Sequence, residues 1–247
     1  MLHGWCWVAL LIAPVHAATL IHEYALRGTL DDNRGGPALK ALGGQVTALG
    51  YVFAANQGLT LSSPALSATN FSLEFSFKFD ATSGYRKIAD FHGLADDSGF
   101  YQLNGNLNFF PVITAGQADF APGAAMHVVL TRDGATNIVT GYVNGQQRFT
   151  FLDDGPRATI TAANNTLTFF VDDFATSQGE ASGGTASYLR IYNGSLTATE
   201  VSNLYSSSAP LAIPEPATAA LLAFGAGVML TAARLKRSPS EPRGHHS

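Results

Sequence analysis

Residues 71–79 read Phe-Ser-Leu-Glu-Phe-Ser-Phe-Lys-Phe. In an extended chain, Phe71, Leu73, Phe75, Phe77 and Phe79 share one face, and Ser72, Glu74, Ser76 and Lys78 share the other. A helix would scatter these side chains round its axis. A strand sorts them, because successive side chains point to opposite faces. The segment therefore predicts a half-buried strand with a core on one side. Similar runs cover 86–91, 99–103, 107–112, 126–131, 138–143, 148–151, 167–171 and 187–192. Turn residues separate them: Asp96-Asp97-Ser98-Gly99, Asn104-Gly105, Arg132-Asp133-Gly134 and Asn144-Gly145. Asn-Gly between apolar runs marks a hairpin, because a type I′ turn needs positive φ at both central residues. Regularly spaced short strands of this kind predict an all-β sandwich or jelly roll.

One helix is expected near the end of this region. Thr197-Ala198-Thr199-Glu200 has the spacing of a capping box, with Thr197 as N-cap and Glu200 at the third helical position. Leu196 and Val201 occupy the staple positions, and Leu204 and Tyr205 continue the apolar face. Ser206-Ser207-Ser208-Ala209-Pro210 then reads as the start of a linker.

Charge narrows the partners. Only 13% of the 247 residues are charged and the formal net charge is −4. Four of the basic residues (Arg234, Lys236, Arg237 and Arg243) lie past the last apolar run, which leaves the body mildly acidic. No basic field is present to hold nucleic acid. The only cysteine is Cys6, so the body has no disulfide to rely on.

The two ends carry apolar segments. Residues 4–17 form a short apolar stretch that ends Val15-His16-Ala17 before Ala18. Small residues at those positions fit a signal peptide cleaved by signal peptidase between Ala17 and Ala18. Near the C-terminus, Pro214-Glu215-Pro216 leads into an uncharged segment at 217–233, followed by Arg234-Leu235-Lys236-Arg237. As a helix that segment would reach roughly 25 Å, a little less than a hydrocarbon core. The basic cluster would stay on the cytoplasmic side and leave the body outside.

These three parts in this order resemble the PEP-CTERM sorting signal. The resemblance implies an exosortase-type processing enzyme as partner and transient anchoring in the inner membrane. It further implies delivery to the cell surface or extracellular matrix of a Gram-negative bacterium. The sorting-motif residues are Pro214, Glu215, Pro216, Arg234, Lys236 and Arg237. An ordinary C-terminal membrane anchor is the alternative reading. The expected organisation is a signal peptide at 1–17, a sandwich at 18–206, a linker at 207–213, a sorting signal at 214–237 and a tail at 238–247.

The body itself resembles laminin-G-like domains. The resemblance is carried by Ile88-Ala89-Asp90-Phe91-His92 through Phe109-Phe110-Pro111 and by Met126-His127-Val128-Val129-Leu130-Thr131-Arg132-Asp133 with Gly141-Tyr142-Val143-Asn144-Gly145. Leu167-Thr168-Phe169-Phe170-Val171-Asp172-Asp173 and Ala186-Ser187-Tyr188-Leu189-Arg190-Ile191-Tyr192 complete it. It implies a concanavalin-A-like jelly roll of two stacked antiparallel sheets over about residues 20–206. That fold hosts lectins, adhesion modules and glycosidases alike, so it implies no single activity.

A glycosidase needs two carboxylates flanking the scissile bond. No Glu-x-Asp-x-Glu pattern is present, and Glu74 has no acidic neighbour two residues away. A Gly-x-Ser-x-Gly elbow is absent, and His22, His92 and His127 are scattered. His127 lies in a dense apolar run and reads as a hydrogen-bonded structural histidine. One constellation fits a cation: Asp172, Asp173 and Glu180, beside Gly179, Gly183 and Gly184. Adjacent acids at a strand end can give calcium several of its six to eight oxygen ligands. The competing reading is that such Asp pairs are solvated turn residues, like Asp31-Asp32, Asp96-Asp97 and Asp153-Asp154. Tyr85, Phe100, Tyr101 and Phe110 flank loops and are candidates for a sugar platform or for core packing. The expectation is a non-catalytic module for extracellular polysaccharide or surface glycan. A carbohydrate-active enzyme or a purely structural envelope protein is the alternative.

Overall fold

The computed structural model describes residues 17–208. The signal segment, the linker beyond Ser208, the Pro214-Glu215-Pro216 motif and the apolar segment at 217–233 lie outside the described residues. Among the described residues no helix is long and apolar enough to cross a membrane. The chain divides into a unit ending at Ser206 and a second from Ser207 onward, and the sheets belong to the first.

Two antiparallel sheets face each other. The first, in spatial order, is β13 (Gln146–Leu152), β12 (Ile138–Val143), β11 (Met126–Arg132), β6 (Phe71–Phe79), β15 (Gly184–Asn193), β4 (Gly50–Phe53) and β3 (Gln45–Thr47). β1 (Thr19–Tyr24) also pairs with β15. The second is β10 (Ile113–Ala118), β9 (Asn106–Phe110), β8 (Gly99–Leu103), β7 (Tyr85–Asp90), β14 (Thr166–Phe169), β5 (Leu59–Ser62) and β2 (Lys40–Ala41). This is the jelly-roll architecture that the alternation predicted.

The core lies between the inner faces. β6 runs through the middle of the first sheet and buries Phe71, Leu73, Phe75, Phe77 and Phe79. Leu167 and Phe169 of β14, Phe100 of β8 and Leu107 and Phe109 of β9 meet them from the second sheet. Phe75 stands edge-on to Phe169, with centroids 5.7 Å apart. Each buried side chain of this size contributes about 1.5–3 kcal/mol. Both Asn-Gly pairs form the hairpin turns expected of them, with φ of 49° and 88° at Asn104-Gly105 and 50° and 76° at Asn144-Gly145.

The helix, α1 (Ala198–Ser208), starts where its capping box places it. The Thr197 backbone N–H donates to Glu200 Oε2 at 2.7 Å, and the Glu200 N–H donates to Thr197 Oγ1 at 3.3 Å. The helix continues through Ser208, beyond the point where the serines read as linker. It covers the outer face of the first sheet, where Val201 and Leu196 pack with Val129, Tyr142 and Tyr192. For this reason only part of the polar face of β6, Ser76 and Lys78, is half-exposed as the alternation predicts. Ser72 and Glu74 are fully buried beneath this second layer.

Three other features depart from the sequence pattern. The run at 107–112 breaks after Phe110, and the chain returns as the edge strand β10. β1 to β5, two to six residues long, lie ahead of the runs read from the sequence. The Asp pairs are not simply solvated, because Asp32 and Asp153 are buried. Asp32 accepts the N–H groups of Glu23, Arg34 and Gly36 and pairs with His22. Asp153 holds Arg132 and the N–H groups of Arg157 and Ala158.

Candidate functional site

Two loops fold over the outer face of the second sheet, one after β7 (91–98) and one after β14 (170–183). The outward positions beneath them follow from register. Lys87 stands opposite Tyr101, and Asp90 opposite Thr168. The second loop begins at Phe170, whose φ of 64° ends β14. That turn keeps both Phe169 and Phe170 in the core and redirects the chain across the sheet. Positive φ at a bulky residue is costly. Packing offsets that cost, since Phe170 stacks on Phe53 at 4.7 Å.

Lys87 is the hub. It has no exposed surface, and its Nζ lies 3.1 Å from Asp173 Oδ2 and 3.6 Å from Asp90 Oδ2. The same ammonium sits 4.7 Å above the Tyr101 ring. Asp90 Oδ1 accepts the N–H groups of His92 and Leu94, which pins the first loop. Asp173 Oδ1 accepts the N–H groups of Ala175 and Thr176. Asp172 accepts the Asp173 N–H on one oxygen and the Glu180 N–H on the other. Asn56 closes the second loop from outside by accepting the Asp172 N–H and donating to Gln178 O.

The carboxyls respond to this crowding in opposite directions. Burial alone would push Asp173 up, but the Lys87 ammonium and the N–H groups of Thr176 and Ala175 outweigh it and hold the group low. Burial raises Asp172. Asp97 is raised by burial, with the Asp173 charge adding to it. Glu180 is pushed up to about 7 by burial and by the charges of Asp97 and Asp172. One lysine thus serves several acids, and the repulsion left over falls on Asp97 and Glu180, where it opposes ionisation.

An aromatic residue, Phe174, follows Asp173 in the second loop. Phe174 is 70% exposed, and its backbone N–H donates to Leu94 O at 3.0 Å, which ties the two loops together. A laminin-G-type family model of the concanavalin A-like lectin/glucanases superfamily matches residues 53–202. The chain belongs to that superfamily.

Within the superfamily fold, solved structures align at low identity. Domain 4 of AbnA, a GH43 extracellular arabinanase from Geobacillus stearothermophilus in complex with arabinotriose, is 18% identical with a TM-score of 0.59. The alignment covers 77% of this chain and 100% of that domain. The botulinum neurotoxin serotype D binding domain is 11% identical with a TM-score of 0.56, over 77% of this chain and 52% of that one. Trypanosoma rangeli sialidase in complex with sialic acid is 16% identical with a TM-score of 0.56, over 79% of this chain and 34% of that one. This chain therefore spans about half and about a third of those last two. At such identities the likeness establishes the jelly roll alone. A search of curated protein sequences finds no match.

The residues expected to bind calcium are brought together, but in another role. Asp172 and Asp173 are fully buried and hold loop N–H groups, and Asp173 faces the Lys87 ammonium where a cation would sit. As arranged, this donor set does not fit a calcium ion. Among the described residues no three His, Cys, Asp or Glu side chains are grouped to hold a metal. Of the aromatic candidates, Phe100 and Tyr101 are fully buried, and Tyr85 and Phe110 are half-buried. Sequence reasoning missed Lys87, Asp97 and Phe174. Lys87 shares the run at 86–91 with Arg86 and Asp90, so nothing local marks it as the buried cation.

Glu74, the acid on β6, is not available for chemistry. It accepts Tyr192 OH at 2.6 Å, Tyr188 OH at 3.1 Å, His127 Nε2 at 3.1 Å and Arg190 Nη1 at 3.4 Å. Burial would raise it, but the bonds from His127 and Tyr192 and the Arg190 charge outweigh burial and lower it. This structural cluster lies under α1. His127, 5% exposed, has the hydrogen-bonded role expected of it.

Proposed function

We propose that this protein is a non-catalytic glycan-binding module of the cell surface or extracellular matrix. It is exported by the secretory route and sorted by an exosortase-type enzyme. The single observation that carries the binding reading is Phe174, 70% exposed in the loop that holds Glu180 and tied by its backbone to the loop that holds Asp97: such a ring can meet a sugar's C–H face while carboxylates meet its hydroxyls. The concanavalin A-like fold supports it, and so does a structural neighbour of the same fold in complex with arabinotriose. The export reading rests on the apolar leader ending at Ala17 and on Pro214-Glu215-Pro216 with its apolar segment and basic end.

A second reading, glycoside hydrolysis, has one observation in its favour. Glu180 is raised while Asp173 is lowered, and carboxyls pushed apart in this way can divide the acid and base roles. Burial argues against it: Asp173 has no exposed surface and is occupied by Lys87, so no substrate atom reaches it. The geometry favours binding over turnover.

The test is a glycan array with the purified protein, run with calcium and with chelator, and including arabino-oligosaccharides and polysaccharides of bacterial matrix. Binding that is lost in Phe174→Ala supports the reading. Absence of binding in both conditions refutes it, and reducing-sugar release abolished by Glu180→Gln would replace it with the enzyme. Calcium-dependent binding would show that the 172–180 loop rearranges to hold the ion. The sorting reading is tested in the native host, where the mature chain should begin at Ala18 and lack the residues beyond the Pro-Glu-Pro motif.

A further inference from the structure

We infer that the outer face of the first sheet carries a separate binding site, for a small aliphatic monocarboxylate, in a groove beside the β3–β4 hairpin. It is independent of the Phe174 loops, which fold over the other sheet. α1 packs on one end of this face, over Val129, Tyr142 and Tyr192. Tyr192 stands opposite Ser72, and toward the other end of the same two strands Thr185 stands opposite Lys78. There a groove of about 660 Å³ opens. That volume lies within the roughly 300–1,000 Å³ typical of small-molecule sites.

Register builds the floor. Val52 on β4, Thr185 on β15 and Lys78 on β6 form one row across adjacent strands, because Thr185 pairs with both of the others. Ala125, just ahead of β11, lines the far side. The wall is the tip of the β3–β4 hairpin, Ala48-Leu49. Thr47 Oγ1 accepts the Leu49 N–H at 3.1 Å and donates to Gly50 O at 2.8 Å, which holds that tip in place. Leu49 is 80% exposed and Val52 43% exposed, so the groove has an uncovered aliphatic side.

Polar groups select the head of the ligand. Lys78 is the one charged residue lining the groove, and among the described residues its ammonium makes no ion pair. Asp80, two residues on, lines a different hollow with Gln45 and Gln57. Thr185 and Ser187 add hydroxyls that no protein group engages among the described residues. An ammonium beside two hydroxyl donors is a receptor for a carboxylate. Val52 lies two strands from Lys78, about 10 Å across the sheet, so an apolar body of about eight carbons reaches from the ammonium to Val52 and Leu49. No acid lines the groove to accept sugar hydroxyls, and Phe77 turns its ring into the core against Phe79 and Phe170. An aliphatic anion therefore matches this lining, and a sugar does not.

The experiment varies body and head separately. Butyrate, hexanoate, octanoate and decanoate are titrated calorimetrically into the purified full chain, below their micelle concentrations. Octanol and octyltrimethylammonium keep the body and change the head. Octanoate should bind saturably, with affinity rising roughly two- to fourfold per methylene up to about eight carbons. Octanol should bind more weakly, and the cation should not bind. Lys78→Met should lose about tenfold for octanoate and leave octanol unchanged. Leu49→Ser should lose about tenfold for both. Leu49 is exposed at a hairpin tip, so Leu49→Trp gives a second readout in a folded chain. Its emission should move with octanoate, whereas the wild-type emission from Trp5 and Trp7 should not. Equal affinity for octanoate, octanol and the cation would overturn the site. So would unchanged octanoate affinity in both Lys78→Met and Leu49→Ser, an equal shift in the wild-type emission, or no binding of octanoate at all. Each of these leaves the Phe174 loops untouched, since their test is the glycan array.

Discussion

Replacing Lys87 by Met tests the organisation of the site most directly. The substitution keeps a long unbranched stem in the same space and removes only the charge. Lys87 has no exposed surface, so water does not take over its role. Asp173 at 3.1 Å and Asp90 at 3.6 Å would then face each other's loops without the cation between them. Both carboxylates keep their backbone N–H donors, from Ala175 and Thr176 and from His92 and Leu94, so the loss is the uncompensated charge rather than all of their bonding. Breaking a buried pair in this way costs about 3–5 kcal/mol. A whole domain is stable by only about 5–15 kcal/mol, so the loss should be visible as a large fall in the urea midpoint at neutral pH. Asp173→Asn in the same background should recover about 0.5–3 kcal/mol of that loss, because the two residues contact each other. Lowering the pH should also shrink the deficit, since a protonated Asp173 no longer needs a cation. A loss below about 1 kcal/mol with an unchanged denaturant slope, or independent effects of the two substitutions, would refute the account of Lys87 as the hub.

Three more outcomes are expected. Glu180 ionises in the fold at about 7, against an ordinary value of 4.5, so its contribution to stability is complete below 4.5 and is lost as pH rises through 7. Melting temperature across that window should therefore flatten in Glu180→Gln, and an unchanged slope would remove the group from this role. Tyr192→Phe deletes the 2.6 Å bond to Glu74 and should cost about 1.5–3 kcal/mol by urea unfolding, with no effect on glycan affinity because that cluster lies on the other sheet. Gly58→Ala drives a Cβ into the Phe169 carbonyl and within 2.5 Å of Val171 Cγ2, and should cost about 1–3 kcal/mol, toward the upper end because backbone cannot yield; an unchanged melting temperature would contradict the packing described.

Much of the fold was legible in the sequence because it follows from local rules. The period-two run at 71–79 specifies a strand and its core face whatever surrounds it, two Asn-Gly pairs specify their turns, and Thr197 with Glu200 specifies where the helix begins. Tertiary structure decided everything that depends on residues far apart in the chain. α1 returns to cover the outward face of β6, which turns Glu74 from a surface acid into a buried acceptor of four donors. The loop after β14 crosses the second sheet and brings Asp173 to Lys87, 86 residues away, so that an acid pair that reads as a cation site is already matched by a lysine. Local spacing fixes backbone geometry, whereas the meeting of distant charges is set by how the sheets and loops stack, and no short segment of the sequence carries that information.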